Sequence, residues 1–288
     1  MSRPNLPRSA ERKSSVDGAG FVALELKKLA GGPEELFTTL DMLEGEEYRK
    51  VKTRRTFRFE LSDQFYFAKL HYGVGWKEIL KNLIQFKLPV TDASNEHEAL
   101  KLLKQRGVPV PTVVGLSTVG FNPATRRSSI VTKSLLNTLS LEDCCRQGLL
   151  TVSRKYNLIP VVARLTRLMH DAGVNHRDCY ICHFHLQLED KDKKVPTLYI
   201  IDLHRAQIRE KTPVRWRVKD VGSLLFSAAE ENALNVFDLF RFMRAYSDKS
   251  LRRTLTEDGV FWREVLVRAQ KLYLKNHSQL SPLLMSFK

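Results

Sequence analysis

His176-Arg177-Asp178-Cys179-Tyr180-Ile181-Cys182-His183 leads into Phe184-His185-Leu186-Gln187-Leu188. A charged stretch, Glu189-Asp190-Lys191-Asp192-Lys193-Lys194, follows, and then Thr197-Leu198-Tyr199-Ile200-Ile201-Asp202. The apolar/polar alternation over 184–188, the polar interruption and the apolar return predict a β-hairpin. A hairpin brings its two ends together, so the segments that carry Asp178 and Asp202 should face one site. A His-Arg-Asp triplet alone occurs by chance in many chains; the hairpin and its second aspartate make this one informative.

Upstream, residues 48–70 read as strands. Phe57-Arg58-Phe59-Glu60-Leu61 alternates, Ser62-Asp63-Gln64 turns, and Phe65-Tyr66-Phe67-Ala68-Lys69-Leu70 returns. A helix is expected after Asp92 or Ser94, either of which can cap it, ending at Gly107 before Pro109. On that helix Glu96 shares a face with Ala99, Leu100 and Leu103, the face that must pack inward. A lone buried carboxylate costs several kcal/mol, which calls for a cation, and Lys69 is the sensible partner. The alternative leaves Glu96 wet at the helix edge.

Trp76-Lys77-Glu78-Ile79-Leu80-Lys81-Asn82-Leu83-Ile84 has the pattern of an amphipathic helix, read as packed on its own domain rather than lying on a membrane. Ser128–Thr132 reads as a strand, Asn137–Ser140 as a join between lobes, and Val161–His170 as an apolar-faced helix ending near Gly173. Strands followed by helices, without regular alternation, predict an α+β fold. The expected division is a disordered tail over 1–19, a β-rich nucleotide lobe over 20–136 and a helical catalytic and substrate lobe over 137–288.

Forty-seven Lys and Arg against 32 Asp and Glu give a net charge of +15, which suggests an anionic partner. Cations are dense in Arg49-Lys50-Val51-Lys52-Thr53-Arg54-Arg55, and Arg215-Trp216-Arg217 interleaves an aromatic. No nucleic-acid module accompanies them and the cations are spread along the chain, so no nucleic-acid partner is expected. The N-terminal residues lack the apolar run of a secretory signal, and no window is apolar enough to span a bilayer. A cytoplasmic protein, peripheral at most to a membrane, is the expectation. The four cysteines fall as Cys144/Cys145 and Cys179/Cys182, unlike a disulfide framework. Cys179-Tyr180-Ile181-Cys182-His183 also spells a haem-attachment string, but attachment needs export. A zinc site from His176, Cys179, Cys182 and His183 lacks a second ligand pair at finger-like spacing. Free buried cysteines are the plainer reading.

Lys69, Glu96, His176-Arg177-Asp178 and Asp202 occur in the order of the protein-kinase signature set. In such sites a lysine neutralises nucleotide phosphates and a glutamate holds it. One aspartate orients the acceptor hydroxyl or takes its proton, and a second binds Mg²⁺. Longer strings narrow the likeness: Tyr66-Phe67-Ala68-Lys69-Leu70-His71, Gly75-Trp76-Lys77-Glu78-Ile79-Leu80-Lys81-Asn82-Leu83, and Ile201-Asp202-Leu203-His204-Arg205-Ala206-Gln207. On these the chain resembles the lipopolysaccharide core heptose (I) kinases, from about Tyr48 through the helical lobe.

The resemblance implies a bilobal, protein-kinase-like fold, ATP and Mg²⁺ as cofactors, and a heptose hydroxyl of the lipopolysaccharide inner core as acceptor. It implies action at the cytoplasmic face of the inner membrane of a Gram-negative cell. Carried over, Asp178 is the catalytic aspartate, Asp202 the metal aspartate, Lys69 the nucleotide lysine and Glu96 its partner. Acyl carrier protein, a small acidic partner in this family, would suit the positive surface. Arg205, Arg209, Lys211 and Arg215 would receive the anionic inner core or form a solvated face.

The sequence departs from the kinase pattern in three places. His183 stands where protein kinases place a metal-binding Asn, as a ligand or as a support for the loop. Leu203-His204 replaces the usual Phe-Gly after Asp202. No glycine occurs over 48–59, where a phosphate loop belongs, although Arg54 or Arg55 could add charge there. Other acceptors (Kdo or a second heptose) and a non-catalytic, nucleotide-binding scaffold remain as alternatives.

Overall fold

The computed structural model describes residues 19–73, 75–77, 80, 92–232, 234–279, 281 and 283. The expected tail, but for residue 19, and most of the Trp76 helix lie outside them.

A six-stranded antiparallel sheet forms one part of the molecule, built from β1 (Ala19–Val22), β2 (Glu46–Val51), β3 (Arg54–Leu61), β4 (Gln64–His71), β5 (Val113–Val119) and β6 (Arg127–Lys133). Its spatial order is β1-β5-β6-β4-β3-β2. The expected 57–70 hairpin is present, with Leu61 opposite Gln64. Ser62 and Asp63 adopt φ of 52° and 58°, the left-handed backbone that suits a two-residue hairpin turn. Alternation sorts β3. Arg55, Phe57 and Phe59 are buried under α1 (Pro33–Met42), with Leu36, Phe37 and Leu40 in the same core, while Arg54, Thr56 and Arg58 face the opposite way.

Helix α2 (Ser94–Gln105) starts where Asp92 accepts the Ser94 amide at 2.9 Å, and is followed by Gly107 at φ 74°. Its buried face, Ala99, Leu100 and Leu103, belongs to the larger core of the helical part. It does not join the core under α1. So α2 links the sheet to the rest, touching β5, β6 and the 203–208 segment.

The remainder contains α3 (Leu141–Arg146), α4 (Val152–Asp171), α5 (Val214–Glu230), α6 (Val236–Ser247), α7 (Leu251–Glu257) and α8 (Gly259–His277). Helix α4 starts earlier than the Val161 expected, since Thr151 caps it by accepting the Arg154 amide and it continues through Pro160. Helix pairs α5/α8 and α4/α6 make the main packing around Leu165, Met169, Leu225, Phe242 and Trp262. The second expected hairpin is β9 (Phe184–Gln187) against β10 (Leu198–Ile200), with β7 (Thr138–Ser140) added outside β9. A two-residue pair, β8 (Val174–Asn175) with β11 (Gln207–Ile208), holds the stretches before Asp178 and after Asp202 together. This sheet part plus helical part is the α+β, protein-kinase-like architecture expected.

Gly173 makes the β8–β11 approach possible. It has φ 82°, and a Cβ there would lie 1.8 Å from the Arg209 carbonyl oxygen. Gly173→Ala should therefore lower stability by roughly 2 kcal/mol or more, read as a fall in thermal or urea midpoint. An unchanged midpoint would show that the backbone there is free to adjust.

Candidate active site

Strand β4 presents Lys69 on the face opposite the α1 core, between Thr56 of β3 and Ile130 of β6. Its ammonium donates to Glu96 Oε1 at 2.7 Å and to Asp202 Oδ1 at 2.5 Å. Glu96 leaves only 4% of its side chain exposed, so its pairing with Lys69 answers the burial cost that its helical face implies. Burial alone would push the Lys69 ammonium down; Glu96 and Asp202 outweigh it and hold the pKa above the ordinary lysine value. For Asp202, burial pushes upward, and Lys69 and His204 overcome it, keeping the carboxyl well below the usual range. His204 Nδ1 lies 2.9 Å from the same Oδ1. Asp202 itself has φ 59°, a left-handed conformation that ends the strand and turns its side chain toward β4.

Thr56, Lys69, Glu96, Ile130 and Asp202 line a cleft of about 490 Å³. Its walls also include Phe67, Lys133 at the end of β6, and Ser134 and Leu135 just after it. His183 also lines it. The His183 ring stacks on His176, with centroids 5.3 Å apart and planes at 8°. Its Nδ1 is 2.7 Å from the Asp178 carbonyl, which can only accept, so that nitrogen carries a proton. The other nitrogen, Nε2, is 3.6 Å from Asp202 Oδ2. His176 Nε2 donates to the Ile201 carbonyl at 3.0 Å, tying the His-Arg-Asp segment to the strand that delivers Asp202. Burial and nearby His183 hold the His176 pKa below the ordinary histidine value.

Asp178 is not part of the cleft wall. Its two carboxylate oxygens accept from one Arg205 nitrogen at 2.8 and 3.1 Å. Beneath the loop lies Asp220 of α5, 1% exposed, which accepts the His176 amide at 2.6 Å and the Arg177 amide at 3.0 Å. Those bonds fix a backbone in which Arg177 takes φ 72°. Sequence reasoning missed Asp220. The available signal was an aspartate inside the apolar run Val218–Phe226, where a buried carboxylate demands donors. It also missed Asn95, whose amide donates to the His204 and Ala206 carbonyls at 3.2 and 2.8 Å and ties the segment after Asp202 to α2.

The expected cationic residues divide. Arg205 pairs with Asp178. Arg209 donates to Asn175 Oδ1 and Gln207 Oε1, both at 2.6 Å, and its guanidinium lies 5.5 Å from the Trp216 ring centre. Arg215 and Lys219 approach the same ring at 5.3 and 4.2 Å. Lys211 is exposed. A positive ledge thus runs from Asp178 to the start of α5. Cys179 is buried with its thiol pushed well up by burial, and burial pushes Cys182 up to about 11. Among the described residues no three His, Cys, Asp or Glu side chains are grouped for a metal, so the four zinc candidates are not assembled.

The profile of the "Lipopolysaccharide kinase (Kdo/WaaP) family" matches residues 39–246. Lipopolysaccharide core heptose(I) kinase WaaP of Escherichia coli strain K12 is 41% identical over 244 residues, covering 83% of this chain and 91% of that protein. The Pseudomonas aeruginosa PAO1 protein of the same name is 42% identical over 254 residues, covering 86% and 93%. A solved structure of WaaP in complex with acyl carrier protein superposes with a TM-score of 0.73 at 35% identity, covering 88% of this chain and 99% of that one. The chain belongs to the lipopolysaccharide kinase (Kdo/WaaP) family.

Proposed function

We propose that this protein is an ATP-dependent sugar kinase that phosphorylates a heptose, the first, of the lipopolysaccharide inner core. The observation that carries the reading is the Lys69 ammonium held between Glu96 and Asp202 inside a cleft, with Asp178 set apart beside the cationic ledge. In this reading the lobes divide at about 136/137, with the nucleotide between them.

Each residue has a physical task. Lys69, kept charged by two carboxylates, neutralises nucleotide phosphates, and Glu96 stops it from swinging away. Asp202 and His183 are the residues that would hold Mg²⁺. Nε2 of His183 lies 3.6 Å from Asp202 Oδ2, and with Nδ1 spent on the Asp178 carbonyl it is the nitrogen that would turn a lone pair to an ion held beside that carboxylate. One carboxylate plus substrate phosphates is an ordinary Mg²⁺ arrangement, although an imidazole ligand is unusual for it. Bound there, the ion would supply charge neutralisation on the transferring phosphoryl group.

Asp178 orients the heptose hydroxyl and accepts its proton, and Asp220 fixes the loop from below through the His176 and Arg177 amides. Arg205, Arg209, Lys211 and Arg215 receive anionic groups of the inner core; the Arg205–Asp178 pair must open as the acceptor arrives. The two relatives at 41% and 42% identity carry the heptose(I) name, which favours that acceptor over Kdo or a second heptose. The net charge of +15 and the relative solved with acyl carrier protein support the same small acidic partner here. No described helix is long and apolar enough to cross a membrane. Work at the cytoplasmic face on a membrane-anchored glycolipid then calls for peripheral contact.

Labelled γ-phosphate should pass from ATP to inner-core glycolipid lacking phosphate, and mapping should place the label on the first heptose. Label on another sugar would reassign the acceptor. ATP binding without transfer to any core sugar would favour the scaffold alternative. Asp178→Ala should slow transfer about 10²- to 10⁴-fold with ATP affinity nearly unchanged, and near-normal turnover would remove Asp178 from the chemistry. Reversing charge at Arg209 and Arg215 should raise KM for glycolipid while leaving that for ATP in place. Equal KM values before and after would return the ledge to the role of a solvated face.

A further inference from the structure

The stretch Arg49–Arg55 holds cations where a glycine-rich phosphate loop is expected, and β3 separates its two adjacent arginines. Arg55 faces the core and is fully engaged. Its Nε donates to Glu47 at 2.7 Å, Nη1 to the Leu40 and Asp41 carbonyls at 3.2 and 2.9 Å, and Nη2 to the Leu43 carbonyl at 2.9 Å. The guanidinium also lies 4.1 Å from the Phe57 ring centre. Arg55 is a structural fastener for the end of α1.

Arg54 and Thr56 face the other way. They pair across the strands with His71 and Lys69, and so share a face with the site lysine; both line the cleft. Arg54 Nε and Thr56 Oγ1 are buried and have no hydrogen-bond partner. An unmade bond at a buried cationic donor is expensive, so these atoms call for an acceptor in the cleft. Nearby groups do not supply it in this structure. Lys69 donates only. His71, pushed down to about 3 by burial with Arg54 and Lys69 beside it, is uncharged and has an acceptor nitrogen, yet no bond joins it to Arg54 or Thr56 and its own Nε2 is buried without a partner. Arg58, further along the same face, is held by Glu46 at 2.6 Å.

The hairpin itself offers little. Val51 pairs directly with Arg54, so the turn has only Lys52 and Thr53, and no residue from 48 to 59 has a positive φ. A nest of backbone amides needs such left-handed residues, and here none is available.

Resting on the nucleotide reading above, we propose that Arg54, assisted by the Thr56 hydroxyl, grips the terminal phosphates of the nucleotide and takes over the task of a glycine-rich loop. A guanidinium presents two parallel N–H groups to a phosphate, so one side chain can replace several backbone amides. Phosphate recognition in this chain is then a side-chain property, dependent on charge and weakened by salt.

Calorimetric titration with ATP and with adenosine tests the proposal. Arg54→Ala should weaken ATP binding about 10- to 100-fold, the scale of lost charge-assisted hydrogen bonds, and leave adenosine affinity within about twofold. Arg54→Lys should recover part of the loss, and it serves as the test variant should the alanine protein prove unstable. Equal ATP affinity in wild type and Arg54→Ala overturns the assignment of Arg54, as does a parallel loss of adenosine binding. A wild-type protein that binds no ATP overturns the nucleotide reading along with it.

Discussion

One ammonium group, Lys69 Nζ, holds the site together. It sits on a sheet strand, touches Glu96 on a connecting helix and Asp202 at the end of a hairpin, and so joins three distant parts of the chain. Burying one charge without partners would cost several kcal/mol, and removing Lys69 leaves two carboxylates without the cation they share. The triad is therefore a poor source of stability and a good source of alignment. It fixes the strand, the helix and the aspartate in one relation, and the rest of the site hangs from that relation.

A second buried carboxylate does the same for the loop. Asp220 reaches up from the core of the helical part to two consecutive amides and sets the backbone that presents Asp178. His176 then bridges that loop to the carbonyl just before Asp202. Asp178 and Asp202 are thus supported by one connected set of hydrogen bonds. The β8–β11 pair and Gly173 bring the two segments close enough for this to happen.

Much of this was legible in the sequence. Period-two alternation located β3, β4 and the 184–200 hairpin, and period 3.6 placed Glu96 on a buried face, from which its cation partner follows. What could not be read was the identity of long-range partners. The apolar run around Asp220 marks it as buried, but its donors lie some forty positions earlier in the chain and cannot be read locally. The Arg205–Asp178 pair is hidden for the same reason. Arg54 and Arg55 have the same chemistry in sequence; only the direction each takes from β3 separates a cleft cation from a core fastener. The start of α4 was placed late because its first turns carry few apolar residues and are held by the Thr151 cap.

Whether the triad acts as a unit is open to direct measurement. ATP affinity would be compared for wild type, Lys69→Met, Glu96→Gln and the double variant, with melting temperatures to confirm folding. If Glu96 works only by holding Lys69, the double variant should bind ATP no more weakly than Lys69→Met alone, a strongly non-additive cycle. Additive losses would mean that Glu96 and Lys69 act independently, and would contradict the account.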